Sequence, residues 1–339
     1  MTTTRDNLLR GSGDARAGLL LLLYGAVVLA WTVHGGWTGS APLGDLLLVL
    51  VDASVPAPPA YLGPYEWVAA AALITVGVLG LRGAPAARGG AVLLGGLLLA
   101  LSLRETAGLL DATYRESFFA TGMGRWALAT RVLGLAVAVA VLVLTLSPRG
   151  RGASRPEGRE PGPPEGRGHR AAGVLLTVQG LANTGWFAYN AHLLWDAGKL
   201  GHGGYVRVVV DPTVLADRVG YGTNVTFYEA ALACALLAVG PLLVLRPRAA
   251  RGAALVLAGI LLYVAVRGVV ALGTVGEFSP YLQEDAAVLR LATLAFALVT
   301  ALVTLTSTAR AADPADVPGG AYAPPAPGDH GQPHVGAGR

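Results

Sequence analysis

Residues 65–109 read YEWVAAAALITVGVLGLRGAPAARGGAVLLGGLLLALSLRETAGL, and residues 228–272 read YEAALACALLAVGPLLVLRPRAARGAALVLAGILLYVAVRGVVAL. Set side by side at a fixed offset of 163 with no gap, they agree at about 19 of 45 positions. An alanine- and leucine-rich composition alone gives a match at roughly one position in nine, so the chain carries an internal duplication. The agreement includes residues that greasy composition does not supply: Tyr65-Glu66 with Tyr228-Glu229, Arg88 with Arg251, and Arg104 with Arg267. With small loop insertions allowed, Trp31 aligns with Trp186, Asp52 with Asp211, and Arg131 with Arg290.

Working outward from the duplication, the whole chain is built of similar apolar stretches. It has 339 residues, 53% of them apolar and 14% charged, with a mean hydropathy of +0.55. That excludes an ordinary soluble domain. A bilayer core of about 30 Å needs about 20 helical residues. Eight stretches meet or approach that length, near 17–34, 66–82, 89–109, 126–147, 171–195, 229–245, 252–272 and 287–307. The expected fold is therefore all-α and membrane-integral, with eight transmembrane helices arranged as two parallel four-helix repeats. Each repeat has an even number of spans, so both point the same way and are related by an axis along the membrane normal.

The expected order is a polar lead over 1–16, a first repeat over 17–147, a linker over 148–170, a second repeat over 171–308, and a tail over 309–339. The linker reads PRGRGASRPEGREPGPPEGRGHR, too rich in proline, glycine and charge to bury a core, and is expected to be disordered. The tail is of the same kind. Arg5, Arg10 and Arg16 ahead of an apolar run resemble a signal peptide, but the repeat partner of that run lies mid-chain, so the first helix is expected to be retained.

Basic residues set the orientation. An N-terminus inside the cell places 16 of the 25 Lys and Arg in cytoplasmic segments and five in outer loops. The positive-inside rule then puts both termini, the linker and the tail in the cytoplasm. Lys199 is the single lysine against 24 arginines, a signature of GC-rich coding that points to a bacterial plasma membrane. The net charge of +4 is mostly this topology and implies no nucleic-acid partner. Cys234 is the single cysteine, which excludes an internal disulfide and any cysteine-based metal site. His34 and His192 lack a second histidine at helical spacing, so no metal and no cofactor are expected.

Each repeat has a long outer loop after its first helix, over 35–65 and 196–228. Each loop carries a short aliphatic run ending in an acid, Val49-Leu50-Val51-Asp52 and Val208-Val209-Val210-Asp211. These runs are too short to span, and read either as extended strands or as helices lying on the bundle's mouth.

Charges inside the spans carry the functional reading, because an ionisable residue within a membrane is expensive to keep. Arg104 lies roughly 22 Å into the third span, Arg131 about 8 Å below the outer end of the fourth, and Glu66 opens the second, so all three share a depth. The same count groups Glu229, Arg267 and Arg290. Glu105 breaks the symmetry, since its counterpart is Gly268. One reading makes these groups structural ties between helices. The other makes them a site in which arginine forks grip an anionic or zwitterionic ligand. Gln179, Asn183 and Asn190 form a polar stripe on one face of the fifth span.

No catalytic motif of known spacing is present. The reading taken forward is a binding or transport protein for a small anionic or zwitterionic solute or lipid headgroup. Its candidate ligand residues are Glu66, Arg104, Arg131, Glu229, Arg267, Arg290, Asp52 and Asp211, and its partners include the lipid bilayer. The alternatives are a non-catalytic subunit or scaffold that docks proteins through linker and tail, and an enzyme on lipid-linked substrates with Asp52 or Asp211 as base.

Overall fold

A computed structural model describes residues 3–38, 43–52, 63–119, 122–147, 166–196, 204–212, 225–274 and 285–310. Among them the chain is helical throughout, with no strand. The elements are α1 (Thr3–Thr38), α2 (Leu43–Val51), α3 (Pro64–Leu81), α4 (Pro85–Gly108), α5 (Ala112–Phe119), α6 (Gly122–Leu146), α7 (Gly166–Asp196), α8 (Gly204–Val210), α9 (Val225–Leu245), α10 (Pro247–Thr274) and α11 (Asp285–Arg310). Proline fixes the start of α3 and α4, where its missing N–H costs nothing. Gly83, at φ +70, makes the turn between them.

Seven of these helices, α1, α3, α4, α6, α9, α10 and α11, are long and apolar enough to cross a membrane. They also leave large side chains such as Leu23, Val132, Val143 and Val299 exposed, as lipid-facing helices do. The eighth expected span corresponds to α7, 31 residues long. It is not among the seven, and its Arg167, Arg170, Gln179, Asn183 and Asn190 dilute its apolar character.

Two boundaries differ from expectation. α1 begins at Thr3, inside the expected polar lead. α7 begins at Gly166, so the last five residues of the expected linker are helical; residues 148–165 lie outside the described residues, as do 311–339 of the tail. Of the two conformations open to the aliphatic runs of the long loops, both runs take the helical one, as α2 and α8. α5 lies between α4 and α6.

Helix approach is set by glycine. In the first half α1 packs on α3, and a Cβ on Gly77 would stand 2.7 Å from the Gly18 carbonyl. In the second half α7 packs on α9, with Gly240 against the Gly173 carbonyl at 2.8 Å. Small residues at such crossings let backbones touch. α4 packs on α6 and α10 on α11 in the same manner. Two apolar cores result, one around Leu21, Leu94 and Val141 and the other around Leu176, Leu236 and Leu257.

α4 and α10 join the halves, and there a contact and its copy shifted by 163 on both sides occur together. A Cβ on Gly252 would overlap the Ala86 carbonyl, and one on Gly89 would stand 2.9 Å from the Ala249 carbonyl. Tyr65 stacks on Tyr228 with ring centroids 5.7 Å apart. Such reciprocal contacts are isologous packing.

A further matched pair corrects the expected register of the last span. Trp31 Nε1 donates to Thr130 Oγ1 at 2.9 Å, and Trp186 Nε1 donates to Thr293 Oγ1 at 3.0 Å. Thr130 and Thr293 are 163 apart within the shared triplet Leu-Ala-Thr. Arg131 is thus matched by Leu294, and Arg290 by Ala127, one turn earlier. The expected pairing of Arg131 with Arg290 fails because no insertion intervenes.

Candidate functional site

At the end of the bundle that carries α2, α5 and α8, each half holds the other by an arginine. Arg104, on α4, donates from Nε to the carbonyl of Val209 at 2.6 Å, in the last turn of α8. Arg267, on α10, donates from Nε to the carbonyl of Val49 at 3.0 Å and from Nη2 to that of Asp52 at 3.1 Å, at the end of α2. Tyr263 adds its hydroxyl to the carbonyl of Leu50 at 2.8 Å. The last carbonyls of a helix have no intrahelical partner and carry partial negative charge, so a guanidinium there is doubly favoured. Both arginines therefore act as crossed clasps on short helices.

Replacing Arg267 with methionine should release the end of α2. It removes two charge-assisted bonds worth about 1.5–3 kcal/mol each, and amide hydrogen exchange over 43–52 should accelerate while the core of α6 is unaffected. Unchanged exchange there would refute the clasp.

Around Glu105 the first half gathers further charge. Glu105, 2% exposed, takes Arg104 Nη1 on Oε1 at 2.7 Å and Arg131 Nη1 on Oε2 at 2.8 Å. The Tyr114 hydroxyl donates to Oε2 at 2.6 Å. Burial, and then the Glu105 carboxylate beside it, push the Tyr114 hydroxyl well above the ordinary tyrosine range, so it remains a donor. α5 exists to deliver this tyrosine: Asp111 accepts from the Tyr114 backbone N–H at 2.9 Å and turns the chain.

In the second half the same place is apolar. Gly268 stands where Glu105 would be, and Leu294 where Arg131 would be. A Cβ on Gly268 would lie 2.7 Å from Leu294 Cδ1. Glycine and leucine thus stand together where the first half has the acid and its partner. Complementary replacement of both partners is what a buried pair demands, because either charge alone is costly.

Beside the Glu105 group lies a cavity of about 140 Å³. Glu66, Glu105, Arg131, Ser102 and Thr130 supply its polar wall, together with Tyr24, Tyr65, Tyr228 and Trp31. The remainder is apolar, mostly from α3, α4, α9 and α10, with Phe227 its one further aromatic ring. Glu66 is buried in the first turn of α3, near the backbone N–H groups that have no partner within the helix. The Tyr228 hydroxyl, from the second half, hydrogen-bonds its carboxylate. The cavity is thus built by both halves, and it is mostly apolar with a few convergent polar groups, the usual character of a small-molecule site.

Of the eight residues expected at a site, Glu66 and Arg131 line this cavity. Arg104 and Arg267 are clasps; Arg104 also lies 5.6 Å from the Phe227 ring centroid. Glu229 and Arg290 are on exposed faces, with Arg290 placed over the Trp186 ring at 5.3 Å. Asp52 is buried at the end of α2, while Asp211 takes Arg207 Nε at 3.2 Å on a half-exposed face. Neither aspartate is in the cavity wall. The expected polar stripe on α7 is partly internal: Gln179 is buried and donates to Asn183 Oδ1 at 2.9 Å. Sequence reading missed the three tyrosines. The signal for two of them was present, since Tyr65 and Tyr228 are duplicated and flank the duplicated glutamates.

Compared with known proteins, the chain matches no family, no curated protein and no solved structure.

Proposed function

We propose that this chain is an eight-span protein of a bacterial plasma membrane, made of two parallel four-helix repeats. It binds a small zwitterionic or anionic ligand in the cavity of its first half, at the outer side. The observation that carries the reading is the cavity itself, where Glu66 and Arg131 converge with tyrosines from both halves. The wall holds Glu66, Glu105 and Arg131, and charges of both signs in an otherwise apolar surface suit a ligand that itself bears both signs. The matched glycine crossings, the Trp–Thr bonds and the reciprocal α4–α10 contact support the parallel arrangement, and α7 serves as the remaining span. A scaffold is the second reading, favoured by the use of Arg104 and Arg267 as clasps rather than as ligand groups.

Thermal unfolding of the purified protein with inorganic phosphate, acetate or glycine betaine separates the two. Binding raises the midpoint as mass action requires, by about 2.7 kcal/mol of stability at a hundredfold excess over Kd. Glu66→Gln and Arg131→Met should abolish that gain. If none of the three probes stabilises the wild type, the scaffold reading prevails.

Orientation follows the basic residues, with both termini and the linker cytoplasmic. A cysteine placed at Ser154 should react with an impermeant maleimide in inverted vesicles and not in intact cells. Reaction in intact cells would overturn the topology.

A further inference from the structure

A second opening lies directly below the cavity. It is a groove of about 270 Å³ along the seam between α3 and α10. Val68, Val76 and Leu79 of α3 face Val256, Gly259 and Ile260 of α10, and no charged residue lines it. Val68 and Ile260 belong to the walls of both the groove and the cavity, so the two adjoin there. The exposed Ala71, Thr75 and Gly259 open the groove sideways, out of the bundle. Its far end is closed where Ala86 meets Gly252.

Shape and chemistry change together along this path. One end holds Glu66, Arg131 and the tyrosine hydroxyls; the other is wholly apolar apart from Thr75. From Val68 to Leu79 the helix rises about 16 Å, close to one leaflet of a hydrocarbon core about 30 Å thick. Both helices are apolar enough to span that core, so the open side of the groove faces acyl chains and not water.

We infer that the ligand of the cavity is a membrane lipid, its zwitterionic headgroup between Glu66 and Arg131 and one acyl chain lying in the groove between α3 and α10. This rests on the reading of the cavity as a ligand site, and adds that the ligand enters sideways from the bilayer. Headgroup charge of both signs meets Glu66 and Arg131, and the chain replaces bulk lipid along a preformed slot. Affinity must then depend on the chain as well as on the head.

The test uses the full chain in detergent micelles with two probes, dioleoyl phosphatidylethanolamine and its head alone, glycerophosphoethanolamine. The wild type should bind the lipid at least tenfold more tightly than the head. Gly259→Leu should erase that advantage by filling the groove. A Cβ at Gly259 meets nothing within 4 Å, so the side chain grows into open space and the fold is kept. Gly96→Leu is the control, at the repeat-related position on α4 and equally open, and it should retain the advantage. Equal binding of lipid and head by the wild type, or an advantage that survives Gly259→Leu, would overturn the lipid inference while leaving the cavity a headgroup site. Failure of the wild type to bind either probe would remove both readings.

Discussion

Replacing Glu105 with glycine is expected to destabilise the protein by on the order of 3–5 kcal/mol, the usual cost of stranding a buried charge. Two guanidinium groups share that carboxylate, from Arg104 and Arg131. Adding Arg131→Leu should restore most of the loss, because glycine and leucine are the pair that the second half uses at the same place, Gly268 against Leu294. Arg104 would retain the Val209 carbonyl, as Arg267 retains that of Val49. Thermal unfolding of the wild type, the two single variants and the double variant measures the coupling. If the double variant loses as much as the two singles together, the complementary exchange is an accident of sequence.

Gly252→Leu should be comparably damaging for a different reason. Its Cβ would overlap the carbonyl of Ala86, a backbone atom that cannot rotate away. α4 and α10 would have to part along the seam that joins the halves. Overpacking typically costs about 1–3 kcal/mol, and more where backbone must move. Two turns further along the same helix, Gly259→Leu should leave the unfolding midpoint nearly unchanged, since that position is open. Equal midpoints for the two variants would mean that the seam is loose.

Seven of the eight expected spans were legible from sequence because length and apolarity suffice to mark a helix that must satisfy its own backbone in lipid. The duplication was legible because tyrosine, glutamate and arginine are rare in such helices and so make reliable landmarks. The short helices α2 and α8 were seen as aliphatic runs, but their conformation depends on carbonyl partners more than 100 residues away. No local pattern encodes that distance. Matching Arg131 to Arg290 conflicts with matching Leu128-Ala129-Thr130 to Leu291-Ala292-Thr293, and the Trp–Thr bonds follow the triplet. With the triplet in register, Arg131 and Glu105 are both unmatched, and that shared oddity is the sequence trace of their ion pair. The cavity itself was not legible, since its wall draws on six helices whose spacing only packing determines.

The crossed clasps also impose an order in time. The end of α2 is completed by an arginine 218 positions later in the chain. At a synthesis rate of about 5–20 residues per second, Arg267 appears roughly 10–40 s after Val49. Through that interval the nascent first half inserts with a bare helix end, and without the Tyr228 that completes its cavity. Maturation is thus a single late event: neither half is finished until the other has been made.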